Sequence, residues 1–251
     1  MYFIKNLLVF SCLLLVSLPV QARAPRDCVI VLHGMGRTER SMSKIENRLQ
    51  DAEYLVWNHH YESTSETIAS LSESSIGEGL RFCALKQAEK VHFVTHSLGG
   101  ILVRHYLQDN EIDNLGRIVM LAPPNQGSEV VDALREYRLY AAAMGPAGLA
   151  LGTGSDSLPN KLNPISGEIG VIAGNSTSDP WFSPIIPGED DGKVSVERAK
   201  LEEMKDFLVV NSGHTFIMRD DEVIDQVLYF LQEGKFNPQL LSRDSSDYED
   251  R

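Results

Sequence analysis

The chain has 251 residues but only three cysteines, with no C-x-x-C pair and no phosphate-cradling glycine loop. Without C-x-x-C spacing it offers neither a zinc ribbon nor a dithiol redox motif. Without a Walker sequence, or a dinucleotide fingerprint after a strand, it carries no cofactor signature, and no cofactor is expected. Positive charge is also scarce: 23 Lys and Arg stand against 35 Asp and Glu, for a formal net charge of −12. Such a chain does not track phosphate backbones, which excludes nucleic acid as the expected partner. Anionic membrane surfaces attract it poorly as well. The apolar run Leu7 to Val16 is shorter than the ~20 residues a membrane-spanning helix needs. There is no internal repeat.

That run reads instead as a signal peptide over residues 1–22. Lys5 supplies the positive start, Pro19 ends the apolar stretch, and Val20-Gln21-Ala22 offers a small-residue cleavage site. The competing reading is an uncleaved anchor. An exported protein, periplasmic or secreted, meets an oxidising compartment. Cleavage would remove Cys12 and leave Cys28 and Cys83, which allow one disulfide; two buried thiols are the alternative. The acidic tail, residues 241–251, is expected to be disordered.

Residues 23–240 have the length and composition of one α/β domain. Cys28 to Leu32 is a continuous apolar run, as in a strand covered on both faces. Tyr54 to Trp57, Val91 to Thr95, Arg117 to Leu121, Ile169 to Ala173 and Phe207 to Val210 make six strands in all. Helical patterns alternate with them over Arg40–Asp51, Glu66–Gln87, the segment ending near Leu107, Ser128–Tyr140 and Asp221–Gln232. That alternation predicts a mostly parallel sheet with helices on both faces. Residues 141–160, rich in Ala, Gly and Leu, break the pattern and read as an insertion.

The chemistry is concentrated around Thr95-His96-Ser97-Leu98-Gly99. A serine on a tight turn between a strand and a helix is a nucleophile elbow, with its hydroxyl held at the positive end of the helix dipole. The first glycine of the usual G-x-S-x-G pattern is here Thr95. His33-Gly34-Met35-Gly36 follows the first strand and supplies a turn whose amides can face an oxyanion. The expected donors are the amides of Met35 and Leu98. A serine needs a base. Of the seven histidines, His214 lies in a loop after the sixth strand, where α/β sheets place their sites. His33 and His96 flank the site backbone and are set aside. His59 and His60 lack ligating neighbours at metal spacing, so no metal is expected. The third member comes from Glu189-Asp190-Asp191-Gly192-Lys193-Val194, with Asp191 as the acid and Asp190 as its understudy. The order Ser97, Asp191, His214 is the one expected of an α/β-hydrolase.

From Cys28 to Glu233 the chain resembles α/β-hydrolases of the bacterial lipase and esterase type. Its Pro123-Pro124-Asn125-Gln126-Gly127-Ser128 run also resembles membrane-lipid deacylases of that superfamily. The resemblance assigns the acid to the aspartate of an Asp-Gly-x-Val segment, here Asp191. It implies a minimal α/β-hydrolase fold, without the antiparallel strands that often precede the His-Gly strand, and with a small apolar cap over 141–160. The implied activity is hydrolysis of carboxylic esters with an apolar acyl group, on a small-molecule or lipid ester substrate. Leu149, Ala150 and Leu151, together with Trp181, Phe182, Ile185 and Ile186, are candidates to line the acyl pocket. The glycines at 145, 148, 152 and 154 are candidate hinges. Transient lipid contact fits this reading. An acyltransferase using the same triad and a non-catalytic binding or chaperone-like module are the rival readings. Acyl chain length and oligomeric state are not legible.

Overall fold

The computed structural model describes residues 26–177 and 181–242. The signal segment 1–22 and tail residues 243–251 lie outside the described residues. Six strands form one sheet in the order β2-β1-β3-β4-β5-β6, and every neighbouring pair is parallel. They are β1 (Cys28–Leu32), β2 (Leu55–Asn58), β3 (Val91–His96), β4 (Leu115–Leu121), β5 (Glu168–Gly174) and β6 (Asp206–Val210). β1 and β3 are buried along their whole length. This explains their continuous apolar sequences: alternation disappears when both faces are covered.

The two faces carry separate cores. Val29 and Val31 point to the face covered by α1 (Ser43–Asp51) and the last helix. Cys28, Ile30 and Leu32 point to the opposite face. That face is covered by α2 (Ile68–Leu71), a π turn Ser72–Ile76, α3 (Gly77–Leu85) and α4 (Leu98–Asp109). The expected helix over 66–87 is therefore three joined segments. Cys28 and Cys83 form a disulfide that ties the start of β1 to α3.

After β4 the expected single helix over Ser128–Tyr140 is two: α5 (Glu129–Leu134) and α6 (Arg138–Leu149). The chain leaves the helical path at Tyr137, whose backbone is extended (φ −80, ψ 117). The segment expected to break the pattern is itself partly helical, in keeping with the high helix propensity of Ala and Leu. It kinks at Gly145 (φ 61), where an added Cβ would stand 1.7 Å from the Thr64 carbonyl oxygen. Short helices α7 (Leu158–Lys161) and α8 (Val196–Ala199) follow. Last comes α9 (Asp221–Glu233), capped by the Asp220 side chain on the Glu222 amide and closed by left-handed Gly234. Pro238–Ser242 forms a 3-10 turn that includes the first two residues of the expected tail, 241 and 242. Among the described residues no helix is long and apolar enough to cross a membrane.

Candidate active site

The site lies at the C-terminal ends of β1, β3, β5 and β6, the edge where open parallel sheets place their ligands. Ser97 joins β3 directly to α4 and is 7 % exposed. Its backbone, at φ 52 and ψ −118, is far from the ordinary regions for a residue with a side chain. Two contacts hold it there: its amide donates to the Leu121 carbonyl at 2.9 Å, and its carbonyl accepts from the Gly100 amide at 3.0 Å. The turn leaves no room for side chains beside it. A Cβ on Gly99 would stand 2.8 Å from the Leu32 carbonyl oxygen, and one on Gly34 would stand 2.7 Å from His96 Nδ1. Thr95 departs from the usual glycine and is fully buried. It is accommodated because its neighbour in the helix is Gly100, whose missing Cβ would lie 3.4 Å from Thr95 Oγ1.

His214 follows β6 in a loop and faces this turn. Its Nε2 is 3.0 Å from Ser97 Oγ, and its Nδ1 is 2.8 Å from Asp191 Oδ2. The other carboxylate oxygen of Asp191 accepts the amides of Lys193 (3.0 Å) and Val194 (2.8 Å). The backbone closes the arrangement, since the His214 amide donates to the Asp191 carbonyl at 3.0 Å. Asp190 turns elsewhere: its Oδ1 accepts from Ser183 Oγ at 2.8 Å and from the Gly192 amide at 2.7 Å. Of the two neighbouring aspartates, only Asp191 reaches the imidazole.

Leu98 is the first residue of α4, so its amide has no carbonyl four residues back within the helix. Among the described residues neither the Leu98 nor the Met35 amide has an acceptor. Met35 and Ser97 line the same cleft. No group of three or more ligating side chains able to hold a metal occurs among the described residues.

The cleft holds about 730 Å³ of open space and is walled on one side by the segment after β4. Val130, Val131, Tyr140, Met144 and Leu151 supply its apolar wall. Of the apolar residues expected to line it, Leu151 does. Leu149 and Ala150 do not, nor does the cluster before the acid. Trp181 is 83 % exposed and Ile185 42 % exposed, while Ile186 is buried away from the cleft. Two of the expected hinge glycines are closely packed: a Cβ on Gly148 would meet Met144 and Met35, and one on Gly152 would meet Asp132. Arg37 and Lys193 also line the cleft.

Two histidines set aside in the sequence reading are buried beside the site. His96 is buried, and its ring packs 5.0 Å from that of His214. Its Nε2 is 2.9 Å from the His214 carbonyl oxygen, which can only accept, so Nε2 carries the proton. Burial holds its pKa well below the ordinary histidine value, and the ring stays neutral. His33 is likewise buried and directly precedes the Met35 turn. The available signal was position alone, since both histidines are sequence neighbours of site backbone. The Pro-Asn-x-Gly-Ser run fastens the cleft wall. Asn125 donates to the Ala199 carbonyl, and its own carbonyl accepts from buried Arg104. Ser128 donates its hydroxyl to the Lys193 carbonyl at 2.6 Å.

Residues 28–153 match the model of the palmitoyl protein thioesterase family. The chain belongs to this family. Solved α/β-hydrolases share its fold at low identity. The mature lipase BlEst2 of Bacillus licheniformis superposes with a TM-score of 0.68 at 17 % identity, over 85 % of this chain and 95 % of that one. The Pyrococcus furiosus esterase Pf2001 superposes with a TM-score of 0.58 at 15 % identity, over 83 % and 82 %. The phospholipase PlaB of Legionella pneumophila gives 0.54 at 21 % identity, over 69 % of this chain and 45 % of that one. No curated protein matches the chain. As a member of the palmitoyl protein thioesterase family it is a hydrolase with a lipase- and esterase-like α/β fold.

Proposed function

We propose that the protein is an exported serine acyl hydrolase that cleaves carboxylic esters with an apolar acyl group. The observation that carries the reading is the line Ser97 Oγ, His214 Nε2, His214 Nδ1, Asp191 Oδ2, with separations of 3.0 and 2.8 Å, at the mouth of an apolar cleft. Ser97 Oγ attacks the acyl carbonyl while His214 Nε2 takes its proton. The oxyanion that forms is met by the amides of Met35 and Leu98. The carbonyl re-forms as the bond to the leaving alcohol breaks, and His214 returns the proton to that alcohol. A water then loses a proton to His214, attacks the Ser97 ester and frees the acid, regenerating the serine. Asp191 keeps the proton of neutral His214 on Nδ1 and stabilises the imidazolium.

The same residues attack a thioester, and the family's description names a palmitoyl protein thioesterase. Oxygen esters and thioesters are therefore arms of one test. Purified mature protein and Ser97→Ala are assayed on p-nitrophenyl acetate through palmitate and on a palmitoyl thioester. Chain-dependent turnover that falls at least ~10³-fold in the variant is the expected result. Equal background rates in both proteins overturn the reading. Acyl delivery to an added alcohol in preference to water replaces it with acyl transfer. The Cys28–Cys83 disulfide supports export, since such bonds persist in oxidising compartments. N-terminal sequencing of protein recovered outside the cytoplasm tests it, and a mature chain that still begins at Met1 counts against signal cleavage.

A further inference from the structure

We propose that His33 is a positioning residue for the oxyanion site: by holding the Gly34 carbonyl, it turns the Met35 amide toward the oxygen of the acyl group that Ser97 attacks. The inference rests on the acyl-hydrolase reading above.

His33 is fully buried and leaves β1 directly into the turn. Its Nδ1 is 2.9 Å from the Gly34 carbonyl oxygen. Its Nε2 is 3.4 Å from the Tyr61 amide, a group that can only donate. Nε2 therefore accepts, and Nδ1 carries the proton and donates to Gly34. Burial, the largest influence, lowers the pKa of His33 to about 4, so the ring holds this single proton at neutral pH. The ring is fixed in place: it stacks on Tyr61 at 3.9 Å with 9° between planes, and the Tyr61 hydroxyl donates to the His33 carbonyl. The Arg37 amide gives the Gly34 carbonyl a second donor at 3.3 Å.

The consequence follows from peptide planarity. No peptide among the described residues is cis. In a trans peptide the C=O and the following N–H point in opposite directions. Pinning the Gly34 oxygen on the His33 side therefore aims the Met35 N–H the other way. Ser97 lies close by, since a Cβ on Gly34 would come 3.1 Å from Ser97 Cβ. The Met35 amide has no acceptor among the described residues, so it is free for the developing oxyanion. A flipped peptide would present the carbonyl oxygen there instead, where it repels negative charge. The histidine thus prepays the orientation that transition-state stabilisation requires.

Three variants separate this role from simple packing. His33→Phe keeps a flat ring on Tyr61 and loses the donor. His33→Asn keeps an N–H near the Nδ1 position, and His33→Gln reaches only the Nε2 position. Kinetics on the preferred p-nitrophenyl ester are measured with binding of two ketones. A trifluoromethyl ketone forms an oxyanion with the serine, and its methyl ketone counterpart does not. Loss of one oxyanion donor costs roughly 10²- to 10³-fold in kcat. His33→Phe is expected to lose about 100-fold in kcat with KM within about twofold. Trifluoromethyl ketone binding should weaken by a similar factor, with methyl ketone binding unchanged. His33→Asn should recover most of the loss and His33→Gln little. Full activity in His33→Phe, or equal weakening of both ketones, overturns the proposal. If His33→Phe does not fold in a thermal melt, equal activity of the Asn and Gln variants overturns it. Retained activity in Ser97→Ala would instead sink the hydrolase reading itself.

Discussion

The serine half of the candidate site and the aspartate–histidine half reach comparable precision by different means. Ser97 sits in a tight turn, passing straight from β3 into α4 at positive φ, with close approach at Gly99 to the Leu32 backbone and at Gly34 to the His96 side chain. Asp191 and His214 sit in the connections after β5 and β6. There, polar groups hold them: two amides on Asp191 Oδ1, the imidazole on Oδ2, and the His214 amide on the Asp191 carbonyl. The first half combines two backbone hydrogen bonds with a turn that has no room for side chains, and the second is held by hydrogen bonds to its side chains. Steric positioning should therefore fail through strain and polar positioning through loss of a partner.

The sharpest break lies in the polar half. Asp191→Asn should cut kcat by about 10⁴-fold, because an amide no longer selects the tautomer that leaves Nε2 free to accept. Asp190→Asn, whose carboxylate serves Ser183 and Gly192, should cost under roughly tenfold. Steady-state kinetics on one ester compares them, and the reverse ranking would move the acid to Asp190. Next in size is the covalent tie remote from both halves. Replacing Cys28 and Cys83 together with serine should cost about 2–5 kcal/mol in denaturant unfolding. It should leave kcat unchanged at 25 °C, since the bond anchors the N-terminal end of β1, opposite the site.

A pH series probes the buried histidines. The pKa of His33 is about 4 when folded, against an ordinary value of 6.5, so the unfolded chain binds a proton that the folded protein refuses. Stability should therefore rise with pH between about 4 and 6.5, by about 3 kcal/mol from this residue. His96, also depressed by burial, acts in the same direction. Unfolding free energies at several pH values check this, and His33→Phe should flatten the slope. The smallest stability effect belongs to the steric half. Gly99→Ala should cost about 1–3 kcal/mol, because the Leu32 carbonyl that its Cβ meets is backbone and cannot swing aside. It should also lower kcat while KM holds, as the elbow shifts under Ser97. An unchanged melting temperature and kcat would show that the turn has slack after all.

The steric half was the more legible in the sequence. Strand, serine and helix are contiguous at 91–109, and the His33-Gly34-Met35 turn follows its strand without a gap, so local pattern carried both. All six strands were legible for the same reason, as apolar runs between turn signals. The wall of the cleft was not. Residues 141–160, rich in Ala, Gly and Leu, read as a break in the pattern, yet as far as Leu149 they belong to a helix kinked at Gly145. Trp181 and Ile185 had the composition of a pocket lining and are exposed. Apolar content records what can be buried, and only the path of the chain decides against what.

The sequence by itself determined the parallel α/β order, the elbow serine and the order of the three polar residues. These depend on periodicity and on turns a few residues long, which neighbouring residues dictate. Tertiary structure alone decided that Asp191 rather than Asp190 meets His214, and that His33 and His96 are buried beside them. It also decided that the segment after β4 walls the cleft and that Cys28 reaches Cys83. Each is a contact between residues far apart in the chain. Such contacts form only when the whole sheet, with both cores packed, brings the strand ends and their loops to common positions.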